Sequence, residues 1–369
     1  MKKNLILIHF AMATAFIISC GKDDSAPDDI TSFFSEYDSR SFEMGFSTWP
    51  YEPSIESVDD TYNFIANHAD VYSEHLDLSV PWDAWMNDTE LPTAFTDEIV
   101  SRKNRKIANA KLAVSVSFLN LSRNDIATDY NGAPPTYTAL NDQAIEDAYF
   151  KHLQYIANEL NPDYLIVSIE GNELLMHDPD KWEEYKLVMA NIRTRMKAAF
   201  PTLPISESMT LHNLYQPSVD NPDEYINEVA GYANALDFAA ISFYPFFKGL
   251  NDKAGFQDAL DFLHDKITKP IAFAETGHLS EDLEVESFDL FIPGNETEQK
   301  DYLETLLTNA QEENYLYVIW WTHRDYDVLW ETFPDDVKDL GKLWISTGIV
   351  NEDGAEKEAL GSWEAAFEK

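Results

Sequence analysis

Cysteine is almost missing from this chain. Cys20 is the single one in 369 residues. No disulfide can form within the chain, and no zinc or iron–sulfur site built on several cysteines is possible. Positive charge is scarce as well: 26 Lys+Arg stand against 66 Asp+Glu, a net charge of −40. Such a surface repels phosphate, which excludes non-specific binding to nucleic acid or to an anionic membrane. After the first twenty residues no apolar run is long enough to span a bilayer. There is no repeat of fixed period and no low-complexity block. No G-x-G-x-x-G follows the first strand-like run and no Walker-type loop occurs, so nucleotide binding lacks its phosphate cradle. Neither an H-E-x-x-H zinc helix nor a G-x-S-x-G elbow is present. No metal and no cofactor is expected.

What is present is enough to build a core: 44% of residues are hydrophobic and 13% aromatic. The chain opens with Lys2 and Lys3, then an apolar stretch from Leu5 to Ile18. That order of charge and short apolar run reads as a signal peptide rather than a membrane span. Ile18-Ser19-Cys20-Gly21 resembles a bacterial lipobox, which implies lipidation of Cys20 after removal of residues 1–19. An ordinary secretory signal with a chance cysteine is the alternative. Residues 20–41 are rich in Gly, Ser, Asp and Lys and read as a flexible tether. Asp23-Asp24 resembles the surface-export signal of lipoproteins in the Bacteroidetes group, and a plain solvated linker is equally compatible. The expected location is the bacterial outer membrane, at the cell surface or facing the periplasm, with the lipid on Cys20 as anchor.

From residue 42 onward short apolar runs alternate with amphipathic stretches. The strand-like runs are Phe42–Thr48, Val71–Leu76, Leu112–Leu119, Tyr164–Ile169, Pro204–Met209, Phe238–Tyr244, Ile271–Ala274 and Tyr315–Trp321. Between them, Ser57-Val58-Asp59-Asp60 is a helix-capping pattern. Ile145, Tyr149, Leu153, Ile156 and Leu160 form one stripe, and Trp182, Tyr185, Met189, Ile192 and Met196 another. Alternation of this kind implies parallel strands with right-handed crossovers. Eight units suit a single (β/α)8 TIM barrel over residues 42–369; a doubly wound open sheet is the alternative.

In that fold, chemistry sits at the C-terminal ends of strands. Those ends carry Trp49, Glu74 and His75, Glu170 to Glu173, His212 and Asn213, Tyr244, Glu275, and Trp320 to Asp325. Two carboxylates from two strand ends suit glycoside hydrolysis, where one protonates the leaving oxygen and the other attacks or activates water. Tryptophans supply flat apolar faces for sugar rings.

Asn172-Glu173 after one apolar run, and Glu275 after another three units later, resemble the clan A glycoside hydrolases. The resemblance implies a retaining (β/α)8 enzyme with Glu173 as acid/base and Glu275 as nucleophile. Ile169-Glu170-Gly171-Asn172-Glu173 and Ile241-Ser242-Phe243-Tyr244-Pro245-Phe246-Phe247 look most like the endo-β-1,4-galactanases. The departure is at strand 2, where Glu74-His75 stands and no arginine is found. Asn172 would then hold a sugar 2-hydroxyl and Tyr244 would hydrogen-bond Glu275. His75, His212 and His323 are orienting or sugar-binding candidates. Trp321 is expected to be the sugar platform and Trp320 a core residue, with Trp49, Trp82, Trp85 and Trp330 as outer subsites. Trp321-Thr322 matches a position where many barrels of the clan carry a cis peptide. Glu170 and Glu207 are the carboxylates most easily confused with the catalytic pair; each reads as a buried, paired group. The function expected is a monomeric endo-β-glycosidase on a β-galactan-like polysaccharide. A β-1,3-glucanase, a mannanase, an exo-glycosidase or an inactive glycan-binding lipoprotein are the alternatives.

Overall fold

The computed structural model describes residues 33–77 and 79–369. The signal segment, Cys20 and Asp23-Asp24 lie outside the described residues. Nine parallel strands make the main sheet: β1 Glu43–Ser47, β2 Val71–Leu76, β3 Lys111–Val116, β4 Tyr164–Ile166, β5 Ile205–Ser206, β6 Ser208–Thr210, β7 Ala239–Phe243, β8 Ile271–Thr276 and, after a hairpin, β11 Tyr317–Trp320. Their order is β5-β4-β3-β2-β1-β11-β8-β7-β6. β5 pairs with β4 and β6 with β7, and only Glu207 separates the two. They are two halves of one stave, so the sheet closes on itself as an eight-staved barrel. All eight strand-like runs of the sequence are staves.

The break at Glu207 has a side-chain cause. Glu207 is fully buried, and its carboxylate accepts from Tyr185 Oη at 2.6 Å, from Tyr232 Oη at 2.8 Å and from Arg193. It is the structural carboxylate expected there, tied to the helix layer rather than to the barrel mouth.

Strand alternation sorts the side chains. Val71, Ala113, Ile166, Ala240, Ala272, Ala274 and Ile319 fill the barrel with aromatic plugs from Phe238 and Tyr317. The opposite faces meet the helices in a larger core. At Gly45 an added Cβ would lie 1.7 Å from the Val71 carbonyl oxygen, so β1 and β2 approach this closely only through glycine.

Helices fill each crossover, among them Ile55–His68, Gln143–Leu160, Pro179–Ala199, Lys253–Lys266 and Glu296–Glu312. Both aromatic–aliphatic stripes named above are buried. Asp178, Asp252 and Asn295 cap their helices by accepting from the backbone N–H three residues on. Such a cap contributes about 1 kcal/mol. The first helix differs from expectation: its cap is Ser54, not Ser57. Ser57 is buried and its hydroxyl accepts from the N–H groups of Tyr51 and Glu52, so the capping pattern is used to fix the preceding turn.

Two features depart from simple alternation. Phe34 is buried against Phe42, so the packed body includes residues from 33 onward. An antiparallel hairpin, β9 Leu283–Val285 and β10 Leu290–Ile292, follows β8. Its apolar side chains join Tyr244, Phe246 and Trp321 in a cluster that walls one side of the barrel mouth.

Candidate active site

Glu275 is aimed by an irregularity in β8. Ile241 pairs with Phe273, but the next residue, Ser242, pairs with Glu275. The extra residue is Ala274, which stays in the barrel interior. Without this bulge Glu275 would follow Phe273 to the helix side; with it the carboxylate turns to the mouth. Tyr244 Oη donates to Glu275 Oε1 at 2.6 Å, as expected. His75 Nδ1 lies 3.7 Å from Glu275 Oε2. Burial pushes the Glu275 carboxyl up to about 7; His75 and Tyr244 oppose the rise and Glu170 adds to it.

His75 stands between two carboxylates. Its Nε2 is 3.6 Å from Asp77 Oδ2. Burial alone would lower the affinity of the ring for a proton, but Asp77 and Glu275 outweigh it and the net shift is upward. Asp77 is held by Arg123 through two bonds, Nη1 to Oδ1 at 2.9 Å and Nη2 to Oδ2 at 2.6 Å. Burial works against the Asp77 charge, yet Arg123 and His75 keep its carboxyl well below the usual range. Arg123 Nε then reaches Glu170 Oε2 at 3.1 Å. The other Glu170 oxygen accepts from Ser242 Oγ at 2.7 Å. One chain of charge therefore runs Glu275, His75, Asp77, Arg123, Glu170, and Ser242 closes it.

Arg123 and Asp77 were not visible as site residues in the sequence. Arg123 comes from the segment after β3 that reads only as a loop, and it stands at a left-handed φ of 51°. It puts a guanidinium into the mouth that strand 2 itself does not supply.

The Asn172-Glu173 pair sits differently from expectation. Both open a short helix, Asn172–His177. Asn172 is fully buried: its Nδ2 donates to Thr210 Oγ1 at 3.0 Å and Tyr225 Oη at 2.9 Å, and its Oδ1 accepts from the Thr210 N–H at 2.8 Å. Both Nδ2 hydrogens are taken within the protein, so Asn172 ties the start of this helix to the end of β6. Glu173 Oε1 accepts from Asn213 Nδ2 at 2.8 Å and from Thr210 Oγ1. Burial raises its carboxyl, Asn213 and Thr210 offset part of that, and Glu170 adds to it.

The aromatic candidates divide. Trp321 faces the mouth, with its ring 5.2 Å from His75 and 5.4 Å from Trp49. The indole N–H groups of Trp321, Trp49 and Trp344 are buried without a protein acceptor. Trp320 is core, donating to the Thr347 carbonyl at 2.8 Å. The expected cis bond at Trp321-Thr322 is not there: the described peptide bonds are all trans. Alternation from Ile319 already turns Trp321 inward, and the redirection of the chain falls on Thr322, at φ 78°. A β-branched residue in that region is strained.

Trp82, Trp85 and Trp330 are engaged away from Glu275. Trp82 is fully buried, donating to the Ala127 carbonyl at 2.7 Å. Trp85 packs on His152 and Tyr155 in the helix layer. Trp330 lies under Lys338, its N–H on that residue's carbonyl at 2.8 Å. His212 lies beside Phe247, 5.4 Å between rings, with Nδ1 unpartnered. Burial lowers it to about 3, so it is a neutral imidazole. His323 packs on Phe64 at 4.7 Å, away from the carboxylates. Among the described residues no group of three or more His, Cys, Asp or Glu is arranged to hold a metal.

No family model and no curated protein matches the sequence. Solved structures do match the fold. An exo-β-1,4-mannosidase from Opitutaceae bacterium strain TAV5 superposes with a TM-score of 0.63 at 12% identity, over 92% of this chain and 61% of that one. A GH5_18 protein from Streptomyces cattleya in complex with GlcNAc gives 0.62 at 15% identity, over 89% and 80%. The GH53 catalytic domain of Ignisphaera aggregans gives 0.57 at 15% identity, over 90% and 92%. All share the barrel.

Proposed function

We propose that the protein is a retaining glycoside hydrolase acting on a β-linked glycan. The observation that carries this is the bulge in β8, which brings Glu275, held by Tyr244 and flanked by His75, into a barrel mouth that also receives carboxyl groups from the end of β4. In the first step a Glu275 oxygen attacks the anomeric carbon. The glycosidic C–O bond breaks and the leaving oxygen takes a proton from a β4-end carboxyl. In the second step water attacks the same carbon, gives its proton back to that carboxylate and releases Glu275. Trp321 and Trp49 offer ring faces to the sugar.

For the substrate, the Ile169–Glu173 and Ile241–Phe247 motifs favour β-1,4-galactan cleaved internally. A β-mannoside is the second reading, because a similar structure is an exo-β-1,4-mannosidase and another, a GH5_18 protein from Bifidobacterium longum, is bound to Manb1-4GlcNAc. Incubation of the purified protein with β-1,4-galactan, mannan, β-1,3-glucan and xylan, with NMR of the first anomer formed, tests the reading. A β-anomer from one substrate is expected. An α-anomer first, or no product from any, overturns it.

The Cys20 motif supports a lipid anchor for the mature enzyme. Cys20→Ala is expected to move it from the membrane to the soluble fraction of a bacterial host; unchanged membrane association refutes the anchor.

A further inference from the structure

We propose that Asp77 and Arg123 are positioning residues for the nucleophile: Arg123 fixes Asp77, and Asp77 holds the His75 ring beside Glu275 as an imidazolium, so that a positive charge stands against the attacking carboxylate. This deepens the retaining-glycosidase reading above and rests on it.

The first ground is the orientation of the ring. Each of its nitrogens faces a different carboxylate. Nδ1 is 3.7 Å from Glu275 Oε2, and Nε2 is 3.6 Å from Asp77 Oδ2. A neutral imidazole carries one N–H and one lone pair. Between two anions, that lone pair would point at one of them. Only the doubly protonated ring turns an N–H to both. The His75 side chain is 12% exposed, so water screens these contacts little. Burial by itself disfavours the charged ring, and Asp77 and Glu275 outweigh it. Glu74, the preceding residue, turns instead to the helix layer, where it accepts from Tyr62 Oη at 2.5 Å and from Arg102. The neighbour from the last strand end is the uncharged Trp321 ring, at 5.2 Å.

The second ground is that Asp77 is fixed as an anion. Arg123 Nη1 donates to Oδ1 at 2.9 Å and Nη2 to Oδ2 at 2.6 Å, a forked pair that sets the plane of the carboxylate. Its carboxyl lies well below the usual range, so it stays charged while Glu275, at about 7, titrates.

The third ground is how Arg123 is delivered. Leu119 and Ile126 pair in an antiparallel bridge that closes the loop. Within it the Asn120 N–H bonds the Asp125 carbonyl at 2.9 Å. The Asn120 carbonyl accepts from the Arg123 N–H at 2.9 Å and from its Nη1 at 3.1 Å. Arg123 stands at φ 51°, a conformation that a non-glycine residue keeps only where its surroundings enforce it. The result is a guanidinium held on Asp77, with Nε on Glu170 at 3.1 Å.

The charge on His75 then favours ionised Glu275 before attack, and favours its departure as a carboxylate when water opens the glycosyl-enzyme. No proton leaves the ring in either step.

The first test needs no substrate. The His75 ring resonance, identified among the nine histidines by its loss in His75→Gln, is titrated by NMR. In Asp77→Asn its midpoint should fall by about one pH unit or more. A neutral ring no longer opposes the rise at Glu275, so the acid limb of kcat/KM should move up by about one unit, as in His75→Gln. The second test is the double variant His75→Gln/Asp77→Asn. If Asp77 acts through the ring, its removal adds no upward movement to that of His75→Gln, because its own negative charge only raises Glu275. Should Asp77→Asn fail to fold with Arg123 unmet, Asp77→Asn/Arg123→Gln removes both partners. The His75 midpoint should still fall, by less, because Arg123 itself opposes the ring charge. An unchanged His75 midpoint in the variant that folds, or upward shifts that add in the double variant, overturns the proposal. Failure of the glycosidase reading looks different: wild-type protein inactive on every substrate while the His75 midpoint still falls in Asp77→Asn.

Discussion

His75 Nδ1 lies 3.7 Å from Glu275 Oε2, and the same ring faces Asp77 on its other side. The imidazole therefore stands between the two carboxylates, within ion-pair distance of each. Two carboxylates beside it raise its own affinity for a proton, and a protonated ring in turn favours the charged form of Glu275.

Activity should carry an acid limb near neutrality. Glu275 must be ionised to attack, and burial raises its carboxyl to about 7. A free glutamate ionises near 4.3. A raised pKa means the protonated form persists to higher pH, so kcat/KM should fall as pH drops through about 7. His75→Gln removes the opposing positive charge and should move that limb upward by about one pH unit. A limb near 4.5 in the wild type refutes the placement.

Tyr244→Phe removes the donor at 2.6 Å from Glu275 Oε1 without changing the packing of the ring. A hydrogen bond to a charged acceptor contributes about 1.5–3 kcal/mol. We expect kcat to fall by roughly 10–100-fold with the melting temperature nearly unchanged. A loss seen only in stability would mark Tyr244 as a core residue.

The adjacent tryptophans should separate cleanly. Trp321→Ala removes a ring face at the mouth and should raise KM by up to about tenfold, a change in substrate binding that Trp320→Ala should not share. Trp320→Ala empties a fully buried site and should cost about 3–5 kcal/mol of stability by chemical denaturation. The reverse pattern would exchange their roles.

Closure of the barrel depends on the Glu207 cluster. Arg193→Met removes the guanidinium and leaves a fully buried carboxylate with only Tyr185 and Tyr232 as donors. Breaking a buried pair from one side costs about 3–5 kcal/mol. Urea unfolding should show that loss, while the pH limb set by Glu275 stays where it is. A loss under 1 kcal/mol would show that the tyrosines alone satisfy Glu207.

Local periodicity determined the architecture. Apolar runs of strand length alternate with stripes at spacings of three and four, and such patterns follow from which faces must leave water, wherever the chain finally goes. All eight staves and the buried stripes over Ile145–Leu160 and Trp182–Met196 were legible for that reason. Glu275 and its bond to Tyr244 were legible through the resemblance to the clan A glycoside hydrolases, on strands that the periodicity had placed. The tertiary structure decided the rest. Where the side chains after β4 come to lie depends on where the strand ends and the helix begins, a matter of a few residues that the spacing of Asn172-Glu173 does not carry. The bulge at Ala274 is a property of pairing between β7 and β8, visible in neither strand alone. Arg123 and Asp77 meet from two separate loops, and Trp82 and Trp85 turn to the helix layer because of what packs on them. A contact between residues far apart in the chain leaves no periodic trace in either segment, so only the folded backbone brings it into view.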